Sequence, residues 1–420
     1  MRPLRILYLT PYVPSRLRTR PYHLLKGLAE RGHRIVLVSA ATSARERSEA
    51  AALTPFCERV RIVPVSLGRS LWNCCTALVA QQPLQARFCR SAAMTDAVRE
   101  ALSAAGGYDV LHVEHLRAVS YADEIPALPR VYDAVDCMSR LFALTAASGP
   151  TWSSRVTARI DLPATRRLEP DLVRRFDRVL LSAATEREAL LELSGAVSDV
   201  ADAATRVRVL SNGVDLEYFA PQPVRRDPAT LVFVGRMAYH ANLAAAHQLV
   251  TEILPRLWQR RPAVRLLIVG ADPPAALRRL VARAGARVEL TGYVVDVRPY
   301  LARATVSVNP LRYTVGVQNK ILEAMAMATP VVATPAACTA LGARDGEHLL
   351  IGERSDDIAT AVAGLLDDPG LAGRIGAAGR QYVEAAHDWR RVAAELEAVY
   401  RDAIAAHAPA ARTQNGVGAQ

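Results

Sequence analysis

The sequence predicts an α/β protein made of two doubly wound parallel-sheet domains facing across a cleft. Three observations carry this reading. The chain has 420 residues, too many for one hydrophobic core when domains usually close at about 100–200 residues. Short β-type runs alternate with helical stretches along almost its whole length, the pattern of parallel sheets with helices on both faces. A proline-rich stretch at 221–228 separates two such series.

In the first series, strands are expected at Arg5–Thr10, Arg34–Ser39, Val60–Val65, Asp109–Glu114, Val131–Val135, Arg178–Ser182 and Val207–Ser211. Helical pattern fills the gaps, most clearly at Tyr22–Arg31 and Ala183–Leu193. The second series places strands at Leu231–Gly235, Arg265–Gly270, Val288–Thr291, Val306–Pro310, Val331–Thr334 and His348–Ile351. Its helices are expected at Asn242–Gln259, Pro274–Ala284, Val297–Arg303, Asn319–Met327, Asp356–Leu366, Leu371–Ala385 and Trp389–Ala405. This gives a first domain at 1–214, a linker at 215–229, a second domain at 230–388, a helix at 389–406 crossing back to the first domain, and a disordered tail at 407–420.

Composition narrows the functional classes. A hydrophobic fraction of 51% with 22% charged residues is that of a soluble globular protein. No window approaches the ~18 uncharged apolar residues of a membrane span. The apolar run Ile6–Leu9 is closed by Pro11 and Pro14 and is too short for a signal peptide. The cysteines show no Cys-x-x-Cys and no His-rich ligand spacing, which supports neither a zinc site nor a disulfide framework and fits a reducing cytoplasm. No metal ligands are expected.

Charge is uneven. Residues 1–90 hold 15 Lys plus Arg against 4 Asp plus Glu, while residues 91–420 hold 37 of each. A one-sided basic surface attracts anionic lipid, phosphate-bearing acceptors or nucleic acid. Nucleic acid is disfavoured, because the basic stretches lack interleaved aromatics and carry no known signature. Contact with the anionic inner face of the membrane is the expectation. Residues 66–90, where Leu71, Trp72, Leu78, Val79, Leu84 and Phe88 accompany Arg69, Arg87 and Arg90, are either a membrane-facing helical region or ordinary core.

Chemistry gathers at two places in the second half. The strand ending at Val234 runs into Gly235-Arg236, where glycine admits a ligand close to the backbone and arginine offers a fork of donors to phosphate. The segment Gly316 to Ala326 sets a helix N-terminus after a strand and loop, with Gln318, Asn319 and Lys320 at its start and Glu323 one turn on. The free N–H groups there suit a diphosphate and Glu323 suits ribose hydroxyls. An ordinary amphipathic helix with a surface Lys320–Glu323 pair remains the alternative. No Gly-x-Gly-x-x-Gly follows either first strand, which disfavours a nicotinamide dehydrogenase.

In the first half, the strand Asp109–Glu114 carries His112 and leads into His115. Asp133 and Asp136 close the next strand, where a carboxylate orients acceptor hydroxyls or, for Asp136, caps the following helix.

Several stretches in order resemble glycosyltransferase family 4: Leu210-Ser211-Asn212-Gly213-Val214-Asp215, Phe233-Val234-Gly235-Arg236, Ile268-Val269-Gly270, Leu322-Glu323-Ala324-Met325-Ala326 and Pro330-Val331-Val332. Arg298-Pro-Tyr-Leu, Pro310-Leu-Arg, Gln318-Asn-Lys and the opening Tyr8-Leu-Thr-Pro-Tyr-Val-Pro are most similar to the sugar transferases of exopolysaccharide and PEP-CTERM/exosortase systems. The resemblance implies a GT-B fold of two Rossmann-like domains and a retaining, metal-independent hexose transfer. It implies a UDP- or GDP-sugar donor with no further cofactor, and a lipid-linked or saccharide acceptor. Arg236 and Lys320 would neutralise the diphosphate, with Gly235, Gly316, Gln318 and Asn319 around it and Glu323 on the ribose. His112 or His115 would approach the donor sugar. The sequence departs from the family's pattern in three places. The first acid of its Glu-x7-Glu motif falls at Val315, a common lysine falls at Ala241, and the loop Pro11 to Pro21 carries Arg16, Arg18 and Arg20 in place of a glycine pair. A nucleotide-sugar epimerase of this fold, or a degenerate transferase serving as a scaffold, are the rival readings.

Overall fold

In a computed structural model, residues 2–125, 128–149, 152–195 and 200–414 are described, and the chain divides into two compact units. One comprises residues 1–211 and 389–420, the other 212–388.

The first unit is built on a sheet of order β3-β2-β1-β4-β5-β6-β7. Its strands are β1 (Arg5–Thr10), β2 (Arg34–Ala41), β3 (Arg59–Pro64), β4 (Val110–Glu114), β5 (Arg130–Val135), β6 (Arg178–Leu181) and β7 (Val207–Val209). Every pairing is parallel. Side chains alternate along each strand, so Leu7 and Leu9 join one hydrophobic layer while Ile6 and Tyr8 join the other. The second layer lies under helices Thr19–Glu30 and Trp389–Gln414.

Those two helices meet at Gly27, where an added Cβ would lie 2.5 Å from the Cβ of Ala393. Helix Trp389–Gln414 therefore belongs to the first unit. It also continues through the stretch expected as disordered from His407, reaching Gln414, because Ala405, Ala406, Ala408, Ala410 and Ala411 favour helix. Residues 415–420 lie outside the described ones.

The second unit holds a parallel sheet of order β10-β9-β8-β11-β12-β13. The strands are β8 (Thr230–Val234), β9 (Arg265–Val269), β10 (Val288–Gly292), β11 (Val306–Asn309), β12 (Val331–Ala333) and β13 (Leu350–Ile351). The helix expected at Asn242–Gln259 is interrupted by a π turn at Leu249–Ile253. Pro255 follows that turn, and the wider backbone relieves the clash its ring makes with the preceding turn.

The stretch 215–229, expected as a linker, is fastened to the second unit. The Arg226 guanidinium donates to the carbonyls of Ala304 at 2.7 Å and Ala328 at 2.9 Å, and Arg380 donates to that of Phe219 at 2.7 Å. Proline content alone does not make a linker when part-buried guanidinium groups bind the backbone beside it.

Gly27→Ala is expected to destabilise the first unit by about 1–3 kcal/mol through overpacking. Adding Ala393→Gly restores most of the loss, as a double-mutant cycle in denaturant measures.

Candidate functional site

In an open parallel sheet, ligands bind outside the carboxyl ends of the strands where the strand order reverses. In the second unit that point lies between β8 and β11. The loop after β8 begins with Gly235-Arg236, and the loop after β11 leads into helix Asn319–Ala326.

Lys320 is the centre of this place. Its ammonium donates to Oδ1 of Asn242, and the Asn242 amide in turn donates to the Arg236 carbonyl at 3.0 Å. Nζ lies 5.0 Å from the centre of the Phe233 ring, and a Cβ on Gly235 would come within 3.1 Å of it. Only glycine leaves the ammonium this room. Burial lowers the Lys320 pKa to about 8, with Glu323 opposing the shift. Burial likewise raises Glu323 to about 7, opposed by Lys320. The two sit at i,i+3 on one helix face and attract each other without a direct ion pair among the described residues. The Glu323 carboxylate has no hydrogen-bond partner among them. Here are a cation bound to one neutral amide and a carboxylate with unused acceptor capacity, both at a helix start whose first N–H groups have no partner within the helix.

The remaining expected residues are placed differently. The Arg236 side chain is exposed and turns to Asp272, with Nε 3.0 Å from its carboxylate. Such an exposed pair is worth about 0–1 kcal/mol and holds the guanidinium only weakly. Gln318 donates to the Thr314 hydroxyl and, at 3.3 Å, to the Val315 carbonyl, closing the loop behind Gly316, whose φ is 61°. Asn319 accepts from Asn212 at 3.2 Å. Gln318 and Asn319 thus shape the loop from within. Ala241, where the resemblance expects a lysine, is buried in the core at the head of a helix, and its neighbour Asn242 makes the polar contacts.

Sequence reasoning missed Asn242. The available signal was a single amide inside the alanine-rich run Ala241–Ala246. It also missed His240 and Tyr313, which join the two loops by a 2.7 Å hydrogen bond with rings stacked at 5.2 Å.

In the first unit the order reverses between β1 and β4. Glu114, at the end of β4, is wholly buried and accepts from Tyr8 at 3.0 Å and Tyr12 at 2.7 Å. Burial first, and the neighbouring Asp133 second, push its carboxyl up. Asp133 is not available to an acceptor. It is wholly buried and receives two hydrogen bonds from Arg20, at 2.8 and 3.0 Å, while Arg20 also donates to the Leu210 carbonyl at 2.9 Å. Arg20 is therefore spent inside the fold, unlike the other two arginines of that loop; Arg16 and Arg18 stay exposed, Arg18 over the Tyr12 ring at 4.5 Å.

His112 is closed to substrate. It lies within the sheet, stacked on Tyr8 at 4.0 Å and 2.9 Å from the Tyr400 hydroxyl, and burial lowers its pKa to about 4. The strand's alternation turns it toward the layer under helix Trp389–Gln414.

His115 sits just past the strand end, partly exposed, with φ at 65°. Its Nδ1 accepts from the Arg117 N–H at 3.3 Å, which assigns the ring proton to Nε2. Burial, with Arg117 and Arg18, lowers its pKa to about 3, so the ring is a neutral donor. One strand over, Val135 also has positive φ, at 68°, a strained value for a β-branched residue. Asp136 accepts from the Ser182 hydroxyl at 3.2 Å, and burial followed by Glu186 raises it to about 6. It does not cap helix Met138–Ser148; Glu169 does, accepting from the N–H groups of Met138 at 2.7 Å and Ser139 at 3.1 Å.

Among the described residues, no group of three or more His, Cys, Asp or Glu is arranged to hold a metal. No helix among them is long and apolar enough to cross a membrane. Asp133→Asn is expected to lower unfolding free energy by about 3–5 kcal/mol, because it leaves the buried Arg20 charge uncompensated; chemical denaturation measures this.

Residues 228–368 match the family described as Glycosyl transferases group 1. The chain is 29% identical over 342 residues to a D-inositol 3-phosphate glycosyltransferase of Kribbella flavida, covering 75% of each chain. The structure resembles a sucrose-phosphate synthase from Thermosynechococcus elongatus with a TM-score of 0.70 at 19% identity, covering 96% of this chain and 100% of the other. It also resembles Alr3699/HepE of Anabaena in complex with UDP and glucose, with a TM-score of 0.65 at 15% identity, covering 94% of this chain and 99% of that one. These likenesses show the fold. With a group 1 glycosyl transferase segment across its second sheet and two Rossmann-like parallel-sheet units of GT-B type, the chain is a glycosyltransferase.

Proposed function

We propose that the protein moves a hexose, with retention and without a metal ion, from a UDP- or GDP-sugar to a lipid-linked or saccharide acceptor in exopolysaccharide or glycolipid assembly. The reaction takes place at the cytoplasmic face of the membrane. One observation carries the donor assignment. A part-buried ammonium, Lys320, stands at a helix N-terminus beside Gly235 and donates to the Asn242 amide, with the Glu323 carboxylate, which has no hydrogen-bond partner among the described residues, one turn along.

Breaking the anomeric carbon–oxygen bond leaves negative charge on the β-phosphate. A preorganised ammonium and helix-start N–H groups stabilise that charge because they need no reorientation as it forms. Arg236 joins them from the rim by leaving its exposed pair with Asp272. Glu323 accepts hydrogen bonds from the ribose hydroxyls. The UDP and the UDP-glucose held by the Anabaena neighbour support a nucleotide-sugar donor. His115 offers an Nε2–H to a hydroxyl of the transferred sugar, and the strained backbone that presents it is typical of residues held for function. The basic first 90 residues favour an acceptor lying at an anionic surface.

Lys320 supplies the test. Its pKa is depressed to about 8 in the free protein, and a bound diphosphate favours the charged form and raises it. UDP binding is therefore expected to take up a proton between about pH 8 and 10, and affinity to fall as pH rises through 8. Calorimetry in buffers of different ionisation enthalpy reads both effects. Lys320→Ala should abolish the proton uptake and cut transfer by about 10²–10³-fold, while circular dichroism stays unchanged. Absence of any thermal shift with nucleoside diphosphates or their sugars would remove the donor assignment. Release of sugar epimer without acceptor would replace transfer by epimerisation.

A further inference from the structure

Helix Leu67–Val79 is turned inside out. Its buried residues are Ser70, Asn73 and Ala77, while its apolar side chains face outward. Leu71 is 66% exposed, Trp72 65% and Val79 88%. Leu67, Leu78 and the exposed Cys75 lie on the same side. At 100° per residue these six positions fall within an arc of about 140°, one continuous apolar face.

Internal contacts set this orientation. The Asn73 amide donates to the Arg90 carbonyl at 2.7 Å, and the Ser66 hydroxyl caps the first turn by accepting from the Arg69 N–H at 3.3 Å. Helix Leu84–Phe88, which follows, is anchored in turn. Arg117 donates to Gln85 at 2.7 Å and covers the Phe88 ring at 4.6 Å, while Tyr121 donates to the Cys89 carbonyl at 2.7 Å. The hairpin cannot roll its leucines inward without breaking these bonds.

Charge along the hairpin's own sequence has one sign, and the buried Asp161 carboxylate beside it is spent on the Leu84 N–H at 2.6 Å. Residues 59–95 contain five arginines and no Asp or Glu, and Arg69 and Arg90 are exposed. The hairpin also adjoins the first unit's reversal point, since Cys89 Sγ lies 3.7 Å from the Pro11 carbonyl at the end of β1.

We propose that helix Leu67–Val79 is an in-plane anchor that inserts its Leu71–Trp72–Val79 face into an anionic lipid surface, with the neighbouring arginines on the headgroups. The inference deepens the membrane-side acceptor reading above and names the element that performs it. Apolar insertion plus basic attraction is the pair of signals that reversible lipid binding requires. A second copy of the chain is the poorer occupant. A helix of 13 residues offers a face of about 200 Å², roughly 20 Å by 10 Å. A stable interface needs about 800 Å² per partner. Pairing two copies would also bring like-charged arginines together.

Sedimentation with vesicles tests the anchor. The protein is expected to pellet with phosphatidylcholine mixed with phosphatidylglycerol, to stay in solution with phosphatidylcholine alone, and to be released by high salt. The double variant Leu71→Ser/Val79→Ser, changed only at exposed positions, should keep the wild-type Tm and bind mixed vesicles at least about tenfold more weakly. Failure of the wild type to bind, or equal binding by the variant, would overturn the proposal. A concentration-dependent dimer in analytical ultracentrifugation that the variant loses would overturn it too, by making the face a contact between copies. Vesicle binding that survives in a protein blind to UDP would uphold the anchor and sink the transferase reading separately.

Discussion

Both units obey one constraint: every strand pairing in their sheets is parallel. A parallel strand is reached only through a crossover, so each strand's carboxyl end delivers a loop and then a helix start at the same edge of the sheet. Free N–H groups and loop side chains accumulate along that edge. Where the strand order reverses, neighbouring crossovers leave on opposite faces and a crevice opens. The placement of Lys320, Asn242 and Gly235 in the second unit, and of Glu114, Tyr12 and His115 in the first, follows from that geometry.

The two crevices handle buried charge in opposite ways. In the first unit, Asp133 is matched by Arg20, and Glu169 by the N–H groups of a helix start. These carboxylates are internal anions doing structural service, and they occupy sites where an external ligand would otherwise find donors. In the second unit Lys320 has a neutral amide and the Glu323 carboxylate has no hydrogen bond among the described residues, so burial shifts both toward their uncharged forms. A group left with its desolvation uncompensated is poised to gain from a ligand of opposite charge. That contrast is why the donor reading rests on the second unit.

The same logic distinguishes helix Leu67–Val79 from the rest of the surface. Scattered exposed apolar residues are normal in soluble proteins. Here the apolar residues form one face, while an asparagine and a serine point inward. Ordinary core packing, which would favour the reverse, was overruled by Asn73 binding the backbone at Arg90.

Periodicity and punctuation determined the architecture. Thirteen β-type runs became the strands of a seven-stranded and a six-stranded sheet, because alternation of short apolar runs with helical stretches is a local property that survives in any parallel α/β fold. Gly235, Lys320 and Glu323 were also legible, since a strand end and a helix start are read from adjacent residues. Partners distant in sequence were not. Nothing local in Asp133 announces Arg20, 113 residues away, and nothing in His112 says which face of β4 it occupies beneath Tyr400. Arg236 was read correctly as lying at a strand end, yet its direction was decided by Asp272. Which charges are neutralised within the fold, and which are left for a ligand, depends on contacts across the sheet, and only tertiary structure fixes those.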